Sequence, residues 1–114
     1  MEIEIPNNKL KRSIEDDARR RKSFGFDMAK KIAVRMAALM AAESLGDFWP
    51  PNDPPERCHE LKGNLAGVFS IDLKQPFRLL FRPVEAGQLT AIDERERWNM
   101  IRRIEIIEIQ DTHG

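Results

Sequence analysis

The chain begins with a polar and apolar pattern that predicts one strand followed by one helix. Residues 2–5 alternate polar and apolar side chains before a proline, as a short strand does. Residues 9–24 predict a surface helix that ends at Gly25, with Asn7 or Asn8 as its cap. Its apolar positions, four apart, form a narrow stripe of Leu10, Ile14 and Ala18.

A second and more apolar helix is predicted next. Asp27 can cap it, Gly46 ends it, and alanines fill the spaces between its larger side chains. We interpret the two helices as an antiparallel hairpin with the methionines in the core, while a Met-rich ligand groove stays an alternative. Residues 48–55 contain four prolines and predict an irregular loop. The apolar positions of this helix are Met28, Ile32, Met36, Leu39 and Met40.

The second half of the chain has the alternation of half-buried strands. Residues 68–73, 77–81 and 103–110 predict three antiparallel neighbours. The charged segment 85–99 predicts a long connection, with a helical turn that packs Trp98 onto the core. We therefore expect a single domain over residues 1–114 that contains an N-terminal strand, a two-helix hairpin and three antiparallel strands.

Composition narrows the class of protein. The chain has 114 residues, is 41% apolar and 33% charged, and holds one cysteine, Cys58. No apolar run approaches the roughly 18 residues that span a membrane, and the N-terminus lacks a basic region followed by an apolar stretch. We expect a globular cytoplasmic protein with no membrane partner and no internal disulfide.

The charges are balanced in number and uneven in position. The formal net charge is zero, but residues 9–35 hold ten Lys or Arg and four Asp or Glu. Residues 85–111 hold seven acidic and four basic side chains. The basic segment can follow a phosphate backbone or attract an acidic partner, although a charged helix is more often a solvated face.

Two polar clusters on apolar strands carry the candidate chemistry. Metal-free cleavage of RNA requires a base for the ribose 2′-hydroxyl, an acid for the leaving 5′-oxygen and cations for the phosphoryl oxygens. The two histidines of the chain suit the proton transfers, since imidazole titrates near neutral pH. Lysine and arginine suit the charge on phosphorus, and an aspartate can orient an imidazole or hold the arginine. The candidates are His59, Lys62, Arg78, Asp111 and His113.

Each candidate also has a plainer interpretation. His59 can be a loop residue without a task, and His113 can fray at the terminus. The Lys62, Gly63 and Asn64 run can be turn chemistry, and Arg78 can be the solvent face of a strand. A Cys58 thiol nucleophile fits poorly, because adjacent strand residues point apart.

Metal and cofactor sites are not expected. Two histidines with scattered carboxylates match no common metal spacing. No glycine-rich phosphate loop is present in the sequence.

At these residues the chain resembles the HigB-type toxins, the plasmid-maintenance killer-protein branch of the RelE/ParE superfamily. The resemblance lies in residues 57–64 (RCHELKGN), 67–71 (GVFSI), 77–81 (FRLLF) and 107–113 (IEIQDTH). It implies the RelE-like α+β fold, in which an N-terminal strand and a two-helix hairpin pack on a small antiparallel sheet. The activity it implies is that of a ribosome-dependent endoribonuclease that cuts messenger RNA without metal. It also implies a helix-turn-helix antitoxin as partner. The site residues it implies are the five already chosen from chemistry.

Substrate contacts follow from the same resemblance. We assign them to Asn64, to Thr112, and to Lys30, Lys31 and Arg35 of the basic segment. Thr112 stands where the family commonly has tyrosine, and this chain contains no tyrosine.

Threonine cannot stack on a base, and stacking contributes roughly 1–3 kcal/mol per base. We therefore expect either weaker activity or a stacking surface from another aromatic side chain. The candidates are Phe69, Phe77 and Trp98.

Two other classes compete with the nuclease. One is a ParE-like toxin that binds gyrase without catalysis, or a toxin of the same fold that has lost catalysis. The other is a small structural subunit. The joint presence of His59, Lys62, Arg78 and His113 favours catalysis, because a protein that only binds has no need of this set.

Overall fold

Helices occupy the first part of the chain and most of the sheet occupies the second. The computed structural model describes residues 1–84 and 93–111. Within these residues it contains four α-helices and five strands, which confirms the α+β class. The elements are β1 Glu2–Glu4, α1 Asn8–Glu15, α2 Asp17–Phe24, α3 Phe26–Ala41, β2 His59–Glu60, β3 Phe69–Asp72, β4 Phe77–Pro83, α4 Glu94–Met100 and β5 Arg103–Asp111.

The strands form one mixed sheet in the order β1-β5-β4-β3-β2. The predicted antiparallel pairing of β3 with β4 and of β4 with β5 is confirmed. Two pairings go beyond the prediction. The short edge strand β2 pairs antiparallel with β3, and β1 runs parallel to β5, with Ile3 opposite Ile104. The parallel pair makes the sheet mixed instead of purely antiparallel.

The first predicted helix is in fact two helices, α1 and α2, separated by Asp16. Asp16 has an extended backbone (φ −94°, ψ 122°), and its carboxylate accepts a hydrogen bond of 2.8 Å from the Arg19 backbone N–H. An aspartate that caps a new helix competes with continuation of the old one, which explains the break. The cap at Asn7 is confirmed by its 2.9 Å bond from the Leu10 N–H. Ala18, expected on the apolar stripe, is exposed.

Helix α3 is the better-buried helix, as predicted. Ile32 and Leu39 are completely buried. The prediction was wrong at Met40, which is 64% exposed, and at the start of the helix, where Gly25 (φ +80°) is the N-cap and no side chain caps it. Helix α3 also ends at Ala41, before the glycine expected to stop it.

The segment after α3 carries the aromatic part of the core. A 3₁₀ turn over Leu45–Phe48 leads into the irregular proline loop that the sequence predicted. Trp98 of α4 is completely buried, and its ring meets Trp49 edge-on at 5.1 Å and Phe69 at 5.5 Å between centroids. The expected packing of Trp98 onto the core is thus confirmed, on a helix longer than the predicted turn.

No helix in the part of the chain that the structure describes is long and apolar enough to cross a membrane.

Candidate active site

The sheet has one core face and one polar face. Phe69, Ile71, Leu79 and Phe81 belong to the hydrophobic core beneath the helices. Side chains alternate along a strand, so the residues between them point to the opposite side. We call this side the polar face and define it by His59, Ser70, Asp72, Arg78, Glu108 and Gln110.

The strand register arranges the polar face in two rows. In the first row, His59 lies opposite Ser70 and Ser70 lies opposite Leu80. Leu80 in turn lies opposite Glu108. One pleat further along, Asp72 lies opposite Arg78, and Arg78 lies opposite Gln110. Strands are spaced by about 4.8 Å, so the backbones of His59 and Arg78 lie roughly 12 Å apart. Side chains of their length can reach one phosphodiester between them.

Asp72 is the centre of the second row, and sequence reasoning did not select it. It is 6% exposed, and its carboxylate oxygens lie 3.7 Å from Nε of Arg78 and 3.7 Å from Nε of Arg57. The Gln75 side-chain amide donates a 3.2 Å hydrogen bond to the same carboxylate. A buried carboxylate requires compensation of this kind, because burial of an isolated charge is costly. Asp72 and Arg57 therefore join the candidate site, although sequence reasoning did not select them.

Arg78 lies on β4 beside the Asp72 carboxylate. Its side chain is 27% exposed and leans on Asp72 at one side. Among residues 1–84 and 93–111, no acceptor takes a hydrogen bond from its Nε–H. The guanidinium is thus oriented by an ion pair without being fully occupied by it.

His59 is half-buried on the edge strand β2, with Nδ1 2.8 Å from the carbonyl oxygen of Arg57. A carbonyl oxygen only accepts hydrogen bonds, so Nδ1 carries the proton and donates it. In the neutral ring, Nε2 then holds the free lone pair. This tautomer is the one that a general base on the polar face needs.

Lys62 and Asn64 are exposed and belong to a turn. Gly63–Leu65 form one 3₁₀ turn, and Gly63 has φ +67°, a value that favours glycine. The turn interpretation is therefore confirmed for the backbone. The roles given to Lys62 in catalysis and to Asn64 in substrate binding remain predictions.

The C-terminal cluster is described only at Asp111. That residue ends β5, is exposed and lies opposite Phe77, so alternation directs its side chain away from the polar face. Asp72, and not Asp111, is the carboxylate beside Arg78. Thr112 and His113 lie outside the described residues.

The basic segment separates into surface and interior residues. Lys30 is exposed and Lys31 is partly exposed on α3. Arg35 differs from its expected surface position, because it is 5% exposed and donates hydrogen bonds to the carbonyl oxygens of Asp72 (2.7 Å) and Pro55 (3.2 Å). Its guanidinium is committed to the backbone, which leaves the two lysines as the accessible cations of this group.

Burial decides between the other candidates. Cys58 is completely buried, and burial, with a smaller effect of the Glu56 charge, raises the pKa of its thiol to about 12. A thiol that stays protonated cannot serve as a nucleophile at neutral pH. Of the three aromatic residues considered for base stacking, Phe69 and Trp98 are buried, and Phe77 is 38% exposed. Phe77 is the accessible one of the three.

Metal ligands do not converge in the described part of the chain. Within residues 1–84 and 93–111, no three His, Cys, Asp or Glu side chains are grouped closely enough to hold an ion.

One known protein family matches most of the chain. A sequence model of the family described as the RelE-like toxin of the type II toxin-antitoxin system HigB matches residues 4–94. The matched region contains His59, Lys62, Asp72 and Arg78 and stops before β5. No curated protein matches the chain.

Proposed function

We propose that this chain, which belongs to the HigB-like family of RelE-like toxins from type II toxin-antitoxin systems, cleaves messenger RNA on the ribosome without a metal ion. The observation that carries the proposal is the guanidinium of Arg78, seated against buried Asp72 on the same sheet face as His59. A cation oriented by an ion pair on the same sheet face as an imidazole supports stabilisation of a phosphorane and transfer of a proton at one site.

The reaction we propose is attack by the ribose 2′-hydroxyl on the adjacent phosphate. Nε2 of His59 takes the hydroxyl proton, because Nδ1 is committed to the Arg57 carbonyl. The O2′–P bond forms and the P–O5′ bond breaks, while His113 gives a proton to the leaving O5′. The products are a 2′,3′-cyclic phosphate and a 5′-hydroxyl end. Arg78 and Lys62 stabilise the charge on the non-bridging oxygens.

The remaining candidates act around this centre. Asp111 orients His113, and Asn64, Thr112, Lys30 and Lys31 contact the RNA.

The partners follow from the family. A type II toxin has an antitoxin, and we propose that the antitoxin here is a helix-turn-helix protein. We further propose that the ribosome presents the message and that the protein acts in the cytoplasm. The exposed lysine and arginine side chains of residues 9–31 support contact with ribosomal RNA, since cationic surfaces bind phosphate backbones.

The test is to express the protein in bacteria without antitoxin and map the 5′ ends of cellular messages. We expect new 5′-hydroxyl ends at codon positions in translated messages. They should be absent with Arg78→Ala and with His113→Ala. Arg82→Ala is the matched control, because Arg82 also lies on β4 but pairs with Glu105 at 2.9 Å, away from Asp72. This control should cleave like the parent.

Three outcomes would contradict the proposal. Growth arrest without new ends would favour a toxin that acts by binding gyrase. Cleavage of free RNA at the same rate without ribosomes would contradict ribosome dependence. Unchanged cleavage by a correctly folded Arg78→Ala protein would remove Arg78 from the mechanism.

A further inference from the structure

We propose that Arg57 is a second phosphate-binding side chain, and that Asp72 is a positioning residue that holds Arg57 and Arg78 as a pair. The inference rests on the proposed function only in taking the phosphate to belong to RNA. It concerns residues to which neither the sequence nor the family match assigned a role.

The pair is held together by residues from three neighbouring segments of the chain. Arg57 precedes β2, Asp72 ends β3 and Arg78 lies on β4, with Asp72 opposite Arg78 in the sheet. The Asp72 N–H donates a 2.8 Å hydrogen bond to the Glu56 carbonyl, which fixes the segment before β2 against β3. One guanidinium thus faces each carboxylate oxygen, at 3.7 Å on both sides.

Exposure shows which groups are presented outward. The Asp72 side chain is 8% exposed, while those of Arg57 and Arg78 are 54% and 27% exposed. The negative charge is therefore inside and the two positive charges are toward the surface. Two guanidiniums and one carboxylate leave a net charge of +1 on this row. Planar guanidiniums match phosphate oxygens through paired N–H donors, so this arrangement fits a phosphate bound between them.

Arg57 also connects this pair to the proposed base. Its carbonyl oxygen holds Nδ1 of His59, and its backbone has φ +51°, an uncommon conformation for a residue with a side chain. Such backbone strain concentrates at functional sites. The same residue thereby directs a guanidinium toward Asp72 and a carbonyl toward His59.

If Asp72 orients the two arginines, its loss should lower kcat and leave the affinity for the substrate nearly unchanged. Removal of the Asp72 charge keeps both guanidiniums but no longer orients them, so the affinity for an anion should persist. Misplacement of groups that act in the transition state should lower kcat instead. Loss of a residue that only stabilised the fold would reduce the amount of folded protein but would not lower the kcat of the protein that remains folded.

The first measurement does not depend on cleavage. Inorganic phosphate is titrated into the full chain, and the arginine Nε–Hε resonances are followed by NMR. We expect the Arg57 and Arg78 signals to shift together with one midpoint, while Arg82 shifts little. In Asp72→Asn the Arg57 and Arg78 signals should shift with two different midpoints. A response from Arg78 alone, or none from either residue, would overturn the pairing.

The second measurement uses RNA cleavage on programmed ribosomes. We expect Asp72→Asn to lower kcat about tenfold with KM changed less than about twofold. Arg57→Gln, at a largely exposed side chain, should raise KM by about fivefold or more through loss of one charged hydrogen-bond donor group. The control is Glu105→Gln, which breaks the comparable Arg82 pair and should cleave normally.

The two measurements separate the possible failures. If the parent protein does not cleave RNA but shows the joint phosphate response, the proposed function is wrong and the arginine pair stands. If the parent cleaves, but Arg57→Gln and Asp72→Asn both retain parental kcat and KM, the function stands and the pair is wrong.

Discussion

Arg35 of helix α3 donates a 2.7 Å hydrogen bond from Nε to the backbone carbonyl oxygen of Asp72. Its terminal nitrogen donates a second bond, of 3.2 Å, to the carbonyl of Pro55. One buried guanidinium therefore ties a helix, the end of β3 and the proline loop together. The residue that fixes Asp72 from inside is thus distinct from the two arginines that face its carboxylate.

We expect Arg35→Met to destabilise the protein by about 1–3 kcal/mol, because two carbonyl oxygens would lose a buried donor. A methionine fills a similar volume but donates no hydrogen bond. The free energy of unfolding in urea measures the effect. The kcat of RNA cleavage by the folded protein should also fall, since the backbone of Asp72 would lose this hydrogen bond.

Lys30→Met is the matched control for Arg35, as it removes one positive charge from the same helix at an exposed position. It should change stability by less than about 0.5 kcal/mol. Arg35→Lys should recover only part of the loss, because an ammonium cannot reproduce the fork that spans both carbonyls. Equal stabilities for Arg35→Met and Lys30→Met would show that the buried hydrogen bonds contribute nothing.

Much of the fold could be predicted from periodicity. The helical spacing from Met28 to Leu39 and the alternation at the start of β5 reflect which side chains are buried, whereas all four side chains of β3 are buried. The break at Asp16 was missed, because a capping aspartate and a solvated helical aspartate look alike in sequence. The parallel pairing of β1 with β5 joins residues about a hundred positions apart, and no local pattern contains that information.

Sequence reasoning selected two side chains of the polar face but not the carboxylate that pairs with one of them. His59 and Arg78 were identified by side-chain type, and both lie on the polar face. Asp72 was overlooked as an ordinary polar strand residue. Its importance depends on the β3–β4 register, which places it directly opposite Arg78. The spacing across the short Lys74–Phe77 turn was the available signal, because residues paired across a hairpin share a face.

Gly46 provides a prediction about packing between the 3₁₀ turn and α4. A β-carbon at this position would lie 2.8 Å from Cγ and 3.1 Å from Cα of Asn99, and would overlap its Oδ1. The turn is also held by a 2.9 Å hydrogen bond from the Leu45 N–H to the Ile101 carbonyl, so it cannot easily move away. We expect Gly46→Ala to cost about 1–3 kcal/mol of unfolding free energy.

The double variant Gly46→Ala with Asn99→Ala tests the cause. It removes the amide but keeps the Cα of residue 99, so part of the loss should be recovered. Asn99→Ala alone is the control for the loss of that side chain. Urea denaturation of the four proteins gives the coupling energy. A coupling of zero would mean that the cost of alanine does not come from contact with Asn99.

Cys58 predicts a loss of stability at alkaline pH. Burial, with a smaller effect of Glu56, raises the pKa of its thiol to about 12, whereas the pKa of an unfolded cysteine is about 8.5. Above that lower value the unfolded chain releases a proton that the folded chain keeps, so rising pH favours unfolding. The thiol's contribution is complete below about pH 8.5 and is progressively lost toward pH 12, at about 1.4 kcal/mol per pH unit.

Comparison of the parent with Cys58→Ala isolates this contribution, because all other groups titrate in both proteins. Alanine at a buried position should lower stability by a constant amount at every pH. The parent should lose about 2 kcal/mol more than Cys58→Ala between pH 8 and pH 10, measured by urea unfolding under reducing conditions. Parallel stability curves over this range would mean that the folded thiol ionises as easily as the unfolded one, against the burial that the structure gives it.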